Sequence, residues 1–501
     1  MIGSFKDDEG MRGAILVLAS LAMTVLFAAA QQPDPKPAAF DPQMTFPVET
    51  LKADLRVLWE ILEEGHGGLD RYASVEAQEK DFEAIEKGLT RPLTEFEFYT
   101  RLLPLVAGIK DGHTLLVLST AATLHLDGRP VFFPFGLRFL KEKVYIFRNL
   151  SADMTFGDGA ELLTVDGTPV QDIVETLLPF VPSDAGIRTS RLRRLENPTT
   201  FGRYLAMQHG QRESRRVRFR PVEGGEEKEI TVPGITAGDI VRILRERYPA
   251  TAERRPTYEL AFRGETGVLT VRQFGDDPDK ARPRYPEFLK EAFRSLQEKK
   301  AASLVIDLRG NGGGRDEYAK LLFAYVMDRS FMYYAGLETK KDDYDLFKYT
   351  NETAAGREEL KKPLRKNGRG WFDVLGHPNR GLQMPEEPGF RGRVAILIDG
   401  GSFSATGETT SAFHYYKKAV FFGEECGSGY YGNTSGFMVM ATLPGSGIRV
   451  RVPLVLYTMA VDGYPKDRGI LPEFLVTPAI EDLLAGRDPV MDRALAQLEK
   501  K

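Results

Sequence analysis

Val394-Ala395-Ile396-Leu397-Ile398-Asp399-Gly400-Gly401-Ser402-Phe403-Ser404-Ala405, continuing through Thr406 to Tyr416, reads as a buried strand that turns through Gly-Gly-Ser into a helix. Val394 to Ile398 is unbroken apolar sequence, as a parallel strand covered on both faces requires. The helix starts near Ser404, so a hydroxyl there lies beside unpaired N–H groups and the positive end of the helix dipole. That place suits a nucleophile, because such N–H groups can hold an oxyanion forming on a substrate carbonyl. Ser402 and Ser404 are also good N-cap residues, the plainer role for a serine before a helix.

A second stretch bears on the choice. Ser303-Leu304-Val305-Ile306-Asp307-Leu308-Arg309 is another strand of the buried type, and it runs into Gly310-Asn311-Gly312-Gly313-Gly314. A glycine run lets backbone N–H groups approach a ligand without Cβ interference, or it serves as a plain flexible turn. Together the two stretches resemble the tail-specific, C-terminal-processing family of serine peptidases (family S41). Asp307 to Gly314 is similar to the D-x-R-x-N-x-G-G strand end of that family, and Ser402-Phe403-Ser404-Ala405 is similar to its S-x-S-A. The resemblance implies Ser404 as nucleophile, with an oxyanion hole made by the Ala405 N–H and that of Gly312 or Gly313. It also implies an α/β catalytic domain of the ClpP/crotonase-like fold.

The chain has 501 residues with 42% hydrophobic content, enough for about three packed domains. Lys and Arg number 67 against 71 Asp and Glu, and no basic block offers an electrostatic footprint for nucleic acid. Met11-Arg12, the apolar run Ala14 to Phe27 and the small residues Ala28-Ala29-Ala30 form the pattern of a signal peptide with cleavage near Ala30. The run is short for a membrane span, and no other segment is long and apolar enough for one. Cys426 is the only cysteine, which excludes an internal disulfide. A soluble periplasmic or secreted protein is expected.

In chain order, residues 1–30 read as the signal peptide and the proline-rich 31–47 as a linker. Residues 48–120 read as an N-terminal helical domain: Leu51, Leu55, Leu58, Ile61 and Leu62 recur at helical spacing, Phe82 to Leu89 repeats the pattern, and Thr94 caps a third helix. Residues 121–235 alternate strands and turns. Within them, Gly159 to Val170 resembles the strand, hairpin and helix entry of a PDZ domain, with Asp166-Gly167 as the turn and a helix from Val170 to Leu178. Such domains take extended peptides at a sheet edge. Residues 236–256 form a connector, 257–485 the catalytic α/β domain and 486–501 a C-terminal helix. The polar stretch 330–390 is expected to be a cover over the cleft or a solvated loop region.

A serine nucleophile needs a base, and imidazole is its natural partner. His414 lies on the helix of Ser404, ten residues and roughly 15 Å along its axis, out of reach. His113, in Asp111-Gly112-His113, is similar to the D-x-H motif of the tricorn-like branch of the family, and the resemblance implies that it is the general base. The serine–lysine branch instead carries a lysine in a Gly-x-Lys-Gly context after the nucleophile; that place here falls at Gly429. Glu473, in Gly469-Ile470-Leu471-Pro472-Glu473, resembles a late acidic motif, so Asp111 or Glu473 is expected to orient the imidazole. No paired cysteines, HExxH or phosphate-loop lysine occurs, and no cofactor or metal is expected.

The expected activity is that of an exported serine endopeptidase acting on protein or peptide substrates. Two other readings share the scaffold. One is a non-catalytic protein that binds apolar ligands or peptides. The other is a crotonase-type acyl enzyme, for which no coenzyme A site is evident.

Overall fold

The computed structural model describes residues 40–154, 157–222, 224–249 and 255–500, so the expected signal peptide lies outside the described residues. The decisive strands form one six-stranded sheet. Tyr258–Arg263, Thr266–Val271, Ser303–Asp307, Arg393–Ile398, Val420–Gly423 and Phe474–Leu475 pair in that order. The first two run antiparallel and every later pair is parallel. Period-two alternation explains why the central strands carry no polar face. Leu304 and Ile306 face the core that holds Leu289, Phe293 and Leu296 of helix Tyr285–Glu298. Val305, Ala395 and Leu397 face the opposite way, onto Val490, Met491, Ala494 and Leu498 of helix Pro489–Glu499. With both faces covered, function is left to the carboxyl ends of the strands, where Ser303–Asp307 and Arg393–Ile398 lie side by side.

A second sheet is antiparallel and brings distant parts of the chain together. Its order is Leu364–Lys366, Phe372–Val374, Tyr334–Thr339, Arg449–Met459 and Thr434–Thr442. Leu115–Val117 pairs with Arg449–Arg451 on the same long strand. The stretch 330–390, expected as a cover or a solvated loop, therefore supplies a ladder partner to Arg449–Met459. Its composition is polar, but Tyr334, Leu337 and Thr339 are buried and make it a core strand.

The N-terminal helices are Val48–Gly65, Val75–Gly88 and Glu95–Gly108. The third opens with a capping box in which Thr94 and Glu97 exchange side-chain and backbone bonds. The middle region is an antiparallel sheet of Phe135–Leu140, Lys143–Asn149, Ala160–Val165, Ser214–Arg220 and Lys228–Pro233. Asp166 and Gly167 both have positive φ, at 52° and 84°, and helix Val170–Leu177 follows them. One apolar core runs through the N-terminal helices, this middle sheet and Val439 to Leu454 of the second sheet.

Asp54 shows how tightly these regions are joined. It is buried in the first helix and accepts from the Gly445 N–H at 2.8 Å and from the Ser446 N–H and Oγ at 2.6 Å. These donors lie between the two longest strands of the second sheet. Asp54→Ala is expected to lower unfolding stability by about 3 kcal/mol, because it leaves buried donors unpaired. Urea denaturation of the variant beside wild type measures it.

Candidate active site

Strand Arg393–Ile398 ends at Asp399, and helix Ala405–Tyr415 begins after Ser404. The turn between them is held from the neighbouring strand end. Ser402 Oγ donates to Leu308 O at 2.8 Å and accepts from Asp399 N at 3.1 Å. Phe403 N donates to Asn311 O at 3.0 Å. Ser402 is thus the structural serine of the pair. Ser404 sits at φ 59° and ψ −126°, a left-handed conformation that costs a non-glycine residue about 1–3 kcal/mol. The strain presents its hydroxyl at the strand–helix junction rather than across the first turn, and its side chain makes no cap.

The glycine run fits against this elbow. Arg309 bridges Asp307 and Asp488, fixing the end of strand Ser303–Asp307. Asn311 Nδ2 donates to Val271 O at 2.9 Å, and Asn311 Oδ1 accepts from Gly313 N at 2.9 Å. Gly313, at φ 105°, lies so close that a Cβ there would stand 2.8 Å from both Phe403 O and Ser404 Cβ. Its amide is therefore committed to Asn311, which removes Gly313 from the expected oxyanion donors; its part is to allow close approach. Among the described residues, the Ala405 and Gly312 N–H groups have no hydrogen-bond acceptor.

His113 Nε2 lies 3.0 Å from Ser404 Oγ across a separation of 291 residues. Strand Leu115–Val117 brings it there by pairing with Arg449–Arg451, and Arg451 Nε donates to His113 O at 2.8 Å. The ring packs against Phe403 at 4.7 Å between centroids, and Arg194 lies over the other ring at 5.0 Å. Burial pushes the His113 pKa down to about 3, so the resting imidazole is neutral and can accept a proton. Its Nδ1 is buried and meets no protein partner among the described residues.

The two residues expected to orient this ring do other work. Asp111 Oδ1 accepts from the backbone N–H of His113 at 2.7 Å and of Thr114 at 3.0 Å, and Oδ2 accepts from Thr434 Oγ1. It fixes the backbone under the imidazole rather than the ring. His66 supports it: Gly68 N donates to His66 Nδ1, so Nε2 carries the proton and donates to Thr114 Oγ1 at 2.8 Å. Glu473 is exposed and accepts from Phe421 N at 2.7 Å on the edge of the catalytic sheet; its partner is that strand, not His113.

A carboxylate that sequence reasoning missed stands nearer. Asp184 is buried in the turn after helix Val170–Leu177, and its Oδ1 accepts from Gly112 N at 2.9 Å. Its Oδ2 accepts from Ser428 Oγ and Gly429 N, both at 3.2 Å, while Ser428 Oγ accepts from Ser404 N at 2.9 Å. Asp111, His113 and Asp184 bring donor atoms within 4.8 Å of one another, a grouping that could hold a metal ion. Each carboxylate oxygen already accepts protein hydrogens and His113 Nε2 faces Ser404, so the cluster reads as a hydrogen-bonding frame. Asp184, between Ser183 and Ala185, carries no local signal.

One turn beyond Ser404 on the same helix, Glu408 is buried. Tyr334 Oη lies 2.7 Å from Glu408 Oε2 and 2.8 Å from Asp316 Oδ2. One phenol has one proton, so one of the two carboxyls must supply the other. Burial, reinforced by Asp316, pushes Glu408 up to about 8, while His377 and Tyr334 hold Asp316 below its ordinary value. Glu408 is thus the protonated member at neutral pH, donating to Tyr334, which donates to Asp316.

A strained serine at a strand–helix elbow, a neutral imidazole on its Oγ and two unengaged amides beside it define a serine hydrolase. Residues 265–476 match the model of peptidase family S41; that segment is a serine-type peptidase domain of the ClpP-like fold, and the rest of the chain supplies accessory domains. The crystal structure of a CPAF mutant is 14% identical, with 91% of this chain and 98% of that chain covered and a TM-score of 0.63. Mature CPAF complexed with lactacystin is 15% identical, with coverage of 90% and 97% and a TM-score of 0.58. At that identity these likenesses show a shared fold. No curated protein matches the sequence.

Gly313→Ala is expected to reduce kcat by about 100-fold, because the added methyl displaces the Ser404 turn. A far-ultraviolet spectrum like that of wild type separates this from unfolding. Glu408→Gln retains a donor for Tyr334 and an acceptor for Asn433. Since the raised Glu408 pKa gives stability that is lost as pH rises toward 8, the Tm advantage of the variant over wild type should widen from pH 6 to pH 9 in thermal melts.

Proposed function

We propose that the chain is an exported endopeptidase in which Ser404 attacks a peptide carbonyl and His113 is the general base. The observation that carries this reading is the 3.0 Å contact between His113 Nε2 and Ser404 Oγ at a buried site. In this mechanism Nε2 takes the hydroxyl proton as Oγ bonds to the carbonyl carbon. The Ala405 and Gly312 N–H groups receive the oxyanion, where each preorganised donor is worth roughly 10²–10³ in rate. The imidazolium formed is stabilised by the adjacent Asp111 and Asp184 carboxylates, and it returns the proton to the leaving amine. Water then repeats the sequence on the acyl-enzyme.

Substrates of this kind are proteins or peptides. Export rests on the signal-like N-terminal sequence. Among the described residues no helix is long and apolar enough to cross a membrane. The middle sheet, with its Asp166-Gly167 hairpin and following helix, is the segment we assign to peptide capture in a PDZ-like manner.

A fluorophosphonate probe tests the chemistry. Wild type should be labelled and should cleave an unstructured polypeptide. Ser404→Ala should abolish labelling, with kcat reduced by about 10⁴-fold or more, and His113→Gln should reduce kcat by about 10²–10⁴-fold. A wild type that neither labels nor cleaves overturns the proposal in favour of a binding role.

A further inference from the structure

Beyond its charge beside the imidazole, the buried Asp184 carboxylate makes contacts that converge on both the histidine loop and the Ser404 turn. We propose that Asp184 is a positioning residue: its carboxylate, acting through Ser428 and the Gly112 and Gly429 amides, holds the nucleophile turn and the histidine loop in reactive register. This rests on the reading of Ser404 and His113 as the reacting pair.

Asp184 Oδ1 takes the N–H of Gly112, the residue before His113. Its Oδ2 takes the Ser428 hydroxyl, whose oxygen in turn accepts the N–H of Ser404. One carboxylate thus reaches the base loop at its backbone and the nucleophile at its backbone, from two oxygens of a single rigid group. The turn that carries it is itself pinned. Ala185, at φ 53°, donates its N–H to Lys110 O at 3.0 Å, and Arg191 Nε donates to Ser183 Oγ at 3.1 Å. A non-glycine residue held at positive φ beside an active site is strain that the surrounding contacts must maintain. Ser428 has no slack either, since a Cβ on Gly407 of the nucleophile helix would come within 2.1 Å of Ser428 Cβ.

Three donors on one carboxyl group need both oxygens as acceptors. The carboxylate supplies them; the acid form must give up an acceptor position to its own proton. The groups around Asp184 are Asp111 and His113, with which it clusters, and Arg71, Arg194 and Tyr72. Burial, and after it the charge of Asp111, push Asp184 up to about 6, whereas His113 is held near 3. The active form is therefore the ionised one. Activity should rise with pH through about 6, a midpoint that His113 itself does not supply.

The test uses the full chain, the fluorophosphonate labelling rate and steady-state cleavage of an unstructured polypeptide between pH 4.5 and 9. Wild type should show an acid limb with its midpoint near pH 6. Asp184→Asn should lower kcat by about 10–100-fold with KM within about twofold, and should lose that limb. Ser428→Ala should lower kcat about tenfold and keep the limb, since the Gly112 and Gly429 bonds remain. A folded Asp184→Asn with wild-type kcat and an unchanged limb overturns the proposal. So does a wild type whose labelling rate is flat across pH 6, a result that needs no variant to fold. Failure of the underlying reading looks different: wild type would then not label at all, or Ser404→Ala would label equally.

Discussion

The register between two parallel strand ends governs this active site. Leu304 lies opposite Val394 and Ile306 opposite Ile396, so the turns after Asp307 and Leu397 leave the sheet at the same level. Everything chemical follows from stitching these turns together: Ser402 Oγ onto Leu308 O, Phe403 N onto Asn311 O, and the bare backbone of Gly313 against Ser404. A slip of one residue would invert the side chains of a strand that is apolar on both faces. It would also shift the glycine turn after Asp307 against the Ser404 elbow, which Gly313 meets at van der Waals distance.

Much of this was legible because glycine and serine runs at strand ends have few physical explanations. The apolar period of Ser303–Asp307 and Arg393–Ile398, the Asp166-Gly167 turn and the Thr94 cap are local signals, and each appears where its residues indicate. The placement of His113 beside Ser404 came from a motif resemblance, and local chemistry could not have supplied it: the pairing of Leu115–Val117 with Arg449–Arg451 is a long-range event. The misread residues fail for the same reason. Glu473 and Asp111 were plausible as acids near a histidine, but which donor a carboxylate meets is decided by packing, and Phe421 N and the His113 backbone N–H claimed them. Asp184 lies 220 residues before Ser404 in number and reaches it only through Ser428.

The stretch 330–390 shows the limit of composition as a guide. Its charges and glycines suggested solvent, yet the strand within it carries Tyr334, whose hydroxyl links Asp316 to Glu408 on the nucleophile helix. A protonated carboxyl one turn past Ser404 leaves that buried cluster with the single negative charge of Asp316. Burial achieves this without any cation, because desolvation penalises only the charged form.

The same economy bears on the base proposed for Ser404. In the place where the serine–lysine branch has its lysine, this chain has Gly429, whose amide donates to Asp184. A Cβ at that position would stand 1.9 Å from Tyr72 Oη, so a lysine has no room unless the N-terminal turn retreats. That turn follows His66, which braces Thr114 and lies 3.6 Å from Asp111, the residue that holds the His113 backbone. The segment that excludes an amine base from the site is therefore part of the frame that delivers the imidazole. Exchanging one base for the other would require rebuilding both sides of the cleft together.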